Sequence, residues 1–141
     1  MRFWDKSAVV PLCVLEPATA TVRRLAEADP SLVVWWATRT ECVSGLARRC
    51  REGGLSAKDE ERARRVLFAL AAEWSEVLPS EPLRQRSERL LAVHPLRAAD
   101  AFQLAAALLW SRGETTTHVL VSLDERLRET AHREGFRIEP E

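Results

Sequence analysis

The sequence predicts a three-layer α/β/α sandwich with a mostly parallel central sheet of four to five strands. Three observations predict it. Strand-like and helix-like segments alternate along the chain. No two strand-like segments are joined by a hairpin turn, which leaves crossover helices as the connections. Leu32 to Trp36 reads LVVWW, a β-branched and aromatic run that is apolar on both faces, as in a strand buried inside a parallel sheet. A chain of 141 residues and 15.9 kDa holds one domain, spanning 1–141, and has no room for two full cores.

The elements follow in order. Arg2 to Trp4 leans apolar and is read as the first strand. Ser7 to Leu15 is apolar and stops before Pro17, which makes it a short buried helix. Thr19 to Ala28 places Val22, Leu25 and Ala26 on one face and Arg23, Arg24 and Glu27 on the other, an amphipathic helix. The LVVWW strand comes next, bounded by Pro30 and Thr38. Trp35 and Trp36, adjacent in that strand, face opposite sides and are both assigned to the core. Arg39 to Arg51 returns to helical spacing through Val43, Leu46 and Cys50. Ser56 to Ala72 is a longer helix with Ser56 at its start and Asp59 in its first turn. Glu76 to Leu78 is a short strand, and Leu83 to Val93 and Ala98 to Trp110 are helices. His118 to Ser122 is a strand, Glu125 to Glu134 a helix, and Phe136 to Ile138 a last edge strand.

Composition narrows the function. The 21 basic and 21 acidic residues cancel, which argues against nucleic-acid binding by bulk charge and against a polybasic membrane anchor. No apolar run approaches the roughly 18 residues of a membrane span, and a charge follows Met1 too soon for a signal peptide. Cys13, Cys42 and Cys50 are an odd set without metal-ligand spacing, which fits a reduced, cytoplasmic setting with thiols as small apolar filler. His94, His118 and His132 form no zinc set. Of the 21 acids only five are aspartate: Asp5, Asp29, Asp59, Asp100 and Asp124.

In parallel sheets, ligands bind outside the carboxyl ends of the strands. Asp5 directly follows the first strand, Glu41 lies just beyond the second, and Asp124 lies two residues after Ser122. Asp100 sits at the start of the Ala98 helix. Each has a local explanation in the helix macrodipole, which favours acids at N-termini by about 0.3–1 kcal/mol. Thr38 to Glu41 and Ser122 to Glu125 have capping-box form, Asp5 can cap a helix, and Asp100 can pair with Arg97. Capping, however, is indifferent to which sheet edge a helix starts from. Carboxylates that converge repel one another unless a cation is present, and Mg²⁺ or Mn²⁺ are the hard ions suited to an all-oxygen set.

Four segments together resemble the PIN-domain family, and within it the VapC-like toxins. Trp4-Asp5-Lys6-Ser7-Ala8 resembles the family's "D-x-S-A" opening. Ala37 to Cys42 resembles its second acidic segment. Leu96 to Ala105 is similar to the "LRxxDAxxLA" segment, the most specific of the four, and Val121 to Leu127 looks like the closing "T-x-D-x-x-L". The resemblance covers the whole chain. It implies an Mg²⁺- or Mn²⁺-dependent endoribonuclease, the toxin of a type II toxin–antitoxin pair, which cleaves RNA phosphodiesters by a metal-activated water. Asp5, Glu41, Asp100 and Asp124 would form the acidic pocket, with the metal on Asp5, Asp100 and Asp124. Ser7 and Ser122 would support those acids. An antitoxin protein that plugs the pocket with a basic side chain, and a second copy of the chain, are the implied partners besides RNA. A PIN module that binds RNA or antitoxin without cleaving is the alternative.

Lys6 departs from the family pattern, and alternation along the chain from Asp5 turns it away from the acids. Arg97, nearest in sequence to a proposed ligand, is the best candidate for a phosphate contact. Arg48, Arg49 and Arg51 and then Arg62, Arg64 and Arg65 lie on helix faces where nearby glutamates can pair with them. Two rival folds that use aspartates at strand ends fail on residues. A phosphotransfer receiver needs a lysine near its last strand, and Lys6 and Lys58 are the only two. A dehalogenase-like phosphatase needs D-x-D where Asp5-Lys6-Ser7 stands.

Overall fold

The computed structural model describes residues 1–141. Five strands form one sheet: β1 (Arg2–Trp4), β2 (Leu32–Trp35), β3 (Ser75–Val77), β4 (Val119–Val121) and β5 (Arg137–Glu139). Every pairing is parallel, and the order across the sheet is β3-β2-β1-β4-β5. The sequence predicts a mostly parallel sheet; the sheet is wholly parallel. The helices are α1 (Lys6–Cys13), α2 (Thr19–Ala28), α3 (Thr38–Arg51), α4 (Ala57–Glu73), α5 (Glu81–Val93), α6 (Ala98–Trp110) and α7 (Glu125–Arg133). A single 3₁₀ turn at Thr115–Thr117 leads into β4.

Strand alternation builds two cores, one on each face of the sheet. Phe3, Val33, Trp35 and Leu120 point to one face and pack with Leu83 and Leu90 of α5, Leu104 and Leu108 of α6, and Leu127 of α7. Trp4, Leu32, Val34 and Val121 point to the other and pack with Val9, Val22, Leu46 and Leu67 of α1 to α4. Register enforces the split, since Phe3 pairs with Val33 and Leu120 while Trp4 pairs with Val121. Each large side chain so buried contributes about 1.5–3 kcal/mol relative to exposure. No helix is long and apolar enough to cross a membrane.

Chain order fixes where the sheet opens. From β1 the chain moves outward through β2 to β3, with α1 to α4 on one face. It then returns across the sheet to place β4 on the other side of β1, with α5 to α7 on the opposite face. Neighbouring strands β1 and β4 therefore lead away in opposite directions, and a crevice lies between their carboxyl ends.

Most segment ends fall within a residue or two of the sequence expectation. Trp36 does not. The strand ends at Trp35, which is 6 % exposed, whereas Trp36 is 53 % exposed. Past the last paired residue the chain turns into α3, so alternation no longer dictates a buried face. Trp36 N–H still donates to the Val77 carbonyl at 3.0 Å, which fixes its backbone at the sheet edge.

Candidate active site

Asp5 and Asp124 stand at the carboxyl ends of β1 and β4. Asp5 follows β1, and its backbone N–H donates to the Val121 carbonyl at 3.0 Å, which ties it to the end of β4. Its side chain is the N-cap of α1. Oδ2 accepts from the Ser7 hydroxyl at 2.6 Å, from the Ser7 amide at 3.3 Å and from the Ser122 hydroxyl at 3.1 Å. Oδ1 is buried and has no partner. Burial pushes the Asp5 carboxyl above its ordinary pKa, against the lowering effect of the Ser7 and Ser122 hydrogen bonds and of Lys6.

The two serines link the strand ends. Ser7 Oγ also accepts from the Leu123 amide at 2.8 Å, and Ser122 Oγ accepts from the Asp124 amide at 3.1 Å. Each hydroxyl thus donates to Asp5 and accepts from the loop after β4. That loop delivers Asp124, whose Oδ1 caps α7 by accepting from the Leu127 amide at 2.9 Å. The cap is Asp124 itself, so the capping box expected from Ser122 to Glu125 does not form. Ser122 is committed to Asp5 instead.

Asp100 lies in the first turn of α6, half-buried, with no hydrogen bond or ion pair from its side chain. Arg97 caps α6 through its backbone, is exposed, and forms no ion pair with Asp100. Burial raises the Asp100 pKa, and the charges of Asp124 and Asp5 raise it further, against Lys6 and Arg126. The charges of Asp124 and Asp5 thus reach Asp100.

Glu41 is held differently. The residue before α3 is Ala37, and Thr38 is the first helical residue, so Thr38 cannot cap the helix and the expected box with Glu41 is absent. The Thr38 hydroxyl accepts from Gln103 Nε2 at 3.2 Å, and the same amide donates to Glu41 Oε1 at 2.8 Å. Gln103, on α6 one turn beyond Asp100, is fully buried and joins the second acidic segment to the third. Sequence reasoning missed it. The available signal was a lone amide three residues after Asp100, on the same helix face as that acid.

Lys6 also corrects an expectation. It is the first residue of α1, so helical geometry rather than strand alternation sets its direction. Its ammonium turns inward and pairs with Glu41 Oε2 at 3.0 Å. Burial works against the Lys6 charge, but Glu41, with help from Asp5 and Asp100, outweighs it and holds the ammonium above its ordinary pKa. Beyond this pair a cleft of about 500 Å³ runs along α3, lined among others by Lys6, Thr40, Glu41 and Arg48. Arg49 on its wall is already paired with Glu16 at 2.6 Å, whereas Arg48 is exposed and unpaired. Arg62, Arg64 and Arg65 are paired along their own helix with Asp59, Glu60 and Glu61.

The donor set suits a hard divalent ion: carboxylate oxygens only, with Asp5 Oδ1 buried and unpartnered. As the side chains stand, no three acidic, histidine or cysteine groups are drawn together tightly enough to ligate one ion. Cys42 lies nearby but is fully buried, and burial pushes its thiol pKa strongly up, which leaves it as core filler.

The comparisons with known proteins bear on this arrangement. Among curated proteins, none matches the chain by sequence. Solved structures share its fold. PAE2754 from Pyrobaculum aerophilum superposes with a TM-score of 0.68 at 22 % identity, over 97 % of this chain and 87 % of its own. VapC20 of Mycobacterium tuberculosis, a toxin that cleaves the sarcin–ricin loop, does so with a TM-score of 0.67 at 18 % identity, over 97 % of each chain. A chain of a toxin–antitoxin complex from Klebsiella pneumoniae matches with a TM-score of 0.64 at 20 % identity, over 88 % of this chain and 87 % of its own. The PIN-domain family model matches residues 2–133, a span that includes all four acids and all but the last strand. By that match the chain belongs to the PIN-domain family.

Proposed function

We propose that this chain is a divalent-metal-dependent endoribonuclease and acts as the toxin of a toxin–antitoxin pair. Members of its family are typically nucleases, and its structural neighbours include toxins of such pairs. The observation that carries the reading is Asp5: a carboxylate buried at the sheet's switch point, with one oxygen fixed by two serines and the other left without a partner. A buried charge persists at a cost unless a ligand compensates it.

Asp5, Asp100 and Asp124 would hold Mg²⁺ or Mn²⁺. Such an ion supplies positive charge that polarises a phosphate and makes water acidic enough to attack it. The chain's own groups do the rest. Ser7 and Ser122 hold Asp5 in one orientation and hold the β4 loop against it. Gln103 fixes Glu41 at the rim. Arg97, exposed at the start of α6, and Arg48, exposed on the cleft along α3, would bind RNA phosphates. The acidic pocket would accept a basic side chain from an antitoxin, and a second copy of the chain completes the expected assembly.

Cleavage of a structured RNA by the purified protein tests the reading. Activity is expected with Mg²⁺ or Mn²⁺, and EDTA should abolish it. Asp5→Asn and Asp100→Asn should each reduce it below detection while far-UV circular dichroism is unchanged. Binding of RNA without cleavage under the same conditions would identify the non-catalytic module instead.

A further inference from the structure

The four acids of the pocket are not equivalent. Asp5 Oδ1 is buried without a partner, and Asp100 has no side-chain partner at all. Glu41 has both oxygens engaged, one by the Gln103 amide at 2.8 Å and the other by the Lys6 ammonium at 3.0 Å. The unsatisfied negative charge therefore lies on the Asp5–Asp100 side. The Glu41 side already carries a cation on a short tether, on the residue next to Asp5.

We propose that Lys6 is the resident cation of this pocket: its ammonium, fixed on Glu41, takes the place of one divalent ion, so that the pocket accepts a single divalent ion on the Asp5–Asp100 side.

This rests on the metal-dependent reading above and sharpens it. Two physical points support it. A divalent ion placed on Glu41 would sit beside an ammonium at hydrogen-bond distance from the same carboxylate, and the two cations would repel. Gln103 is fully buried and bonded to both Thr38 and Glu41, so Glu41 is not free to swing toward Asp5 and leave Lys6 behind. A lysine serves here because its ammonium is a compact point charge on a flexible stem.

Counting bound Mn²⁺ tests this without RNA. The full-length protein is titrated with Mn²⁺ while the electron paramagnetic resonance signal of the free ion is followed. The parent protein should bind one ion, Lys6→Met and Lys6→Gln should each bind two, and Lys6→Arg, which keeps the charge, should bind one. Asp5→Asn should lose the ion in the parent background. Circular dichroism checks that each variant is folded, and the two neutral variants guard against misfolding of either. Two ions in the parent, or a single ion in the folded neutral variants, would overturn the role of Lys6 and leave the metal site standing. No ion in the parent, or binding unaffected by Asp5→Asn, would overturn the metal reading and the role of Lys6 with it.

Discussion

At 1 % exposure, Asp5 holds an ionisable group where water cannot solvate it. Its pKa in the folded chain is raised above the ordinary value of 3.8, chiefly by burial. In the unfolded chain the carboxyl titrates normally. Below that ordinary value the group is neutral in both states and costs nothing. As pH rises through the folded pKa, the fold must ionise it in place, and stability is lost. Asparagine keeps an acceptor for Ser7 and caps a helix as well as aspartate does. Asp5→Asn should therefore raise the melting temperature near pH 7 in EDTA, and the gain should shrink as pH falls toward about 4. Melting curves of both proteins from about pH 4 to about pH 8 measure this; an equal gain at every pH would show that burial of charge is not the cause. Ser7 and Ser122 belong to the same scale. Each orients Asp5, and Ser122→Ala should cost about 10–100-fold in metal affinity or cleavage, as loss of a ligand's supporting hydrogen bond usually does.

Between elements, α7 and β5 meet at a turn that only glycine serves well. Gly135 has φ of +97°, and a Cβ there would lie 2.6 Å from Thr115 Oγ1. Both the left-handed backbone and the contact penalise a side chain. Gly135→Ala should destabilise the fold by more than about 1 kcal/mol in urea unfolding, because the alanine must adopt a strained conformation and displace Thr115 as well. The helices near the site are placed by similar local devices. Ser56 caps α4 and Ser80 caps α5 through their hydroxyls, at 3.0 and 3.2 Å. In α1 and α7 the capping side chains are Asp5 and Asp124, so two helix starts and the acidic crevice share the same carboxylates. The capping explanation and the site explanation of these acids are thus compatible: Asp124 spends one oxygen on its helix and has another to offer.

Across the whole molecule, one sheet separates two cores, and neither can persist without it. Leu104 belongs to the core beneath α5 to α7 and Leu46 to the core beneath α1 to α4; both are fully buried. Leu104→Ala and Leu46→Ala should each cost about 2–5 kcal/mol. In each variant, circular dichroism and tryptophan fluorescence should lose signal at the same urea concentration, since the shared sheet couples the two faces into one cooperative unit. Separate transitions for the two probes would mean that the faces unfold independently.

The sequence by itself determined the order of the elements, their approximate ends and the placing of acids just beyond strands. These depend on periodicity, turn residues and neighbours a few positions apart, which are local properties. Four motifs in register were legible for the same reason. Tertiary structure decided the rest. That β4 lies beside β1, so that Asp5 and Ser122 meet, follows from the return of the chain across the sheet, which no local pattern encodes. Alternation, valid inside a strand, failed one residue past its end at both Lys6 and Trp36, because a helix start or a turn resets side-chain direction. Gln103 became visible only when α6 was packed against the start of α3. The identities of the acids are thus a local fact, but the cation among them is a product of packing.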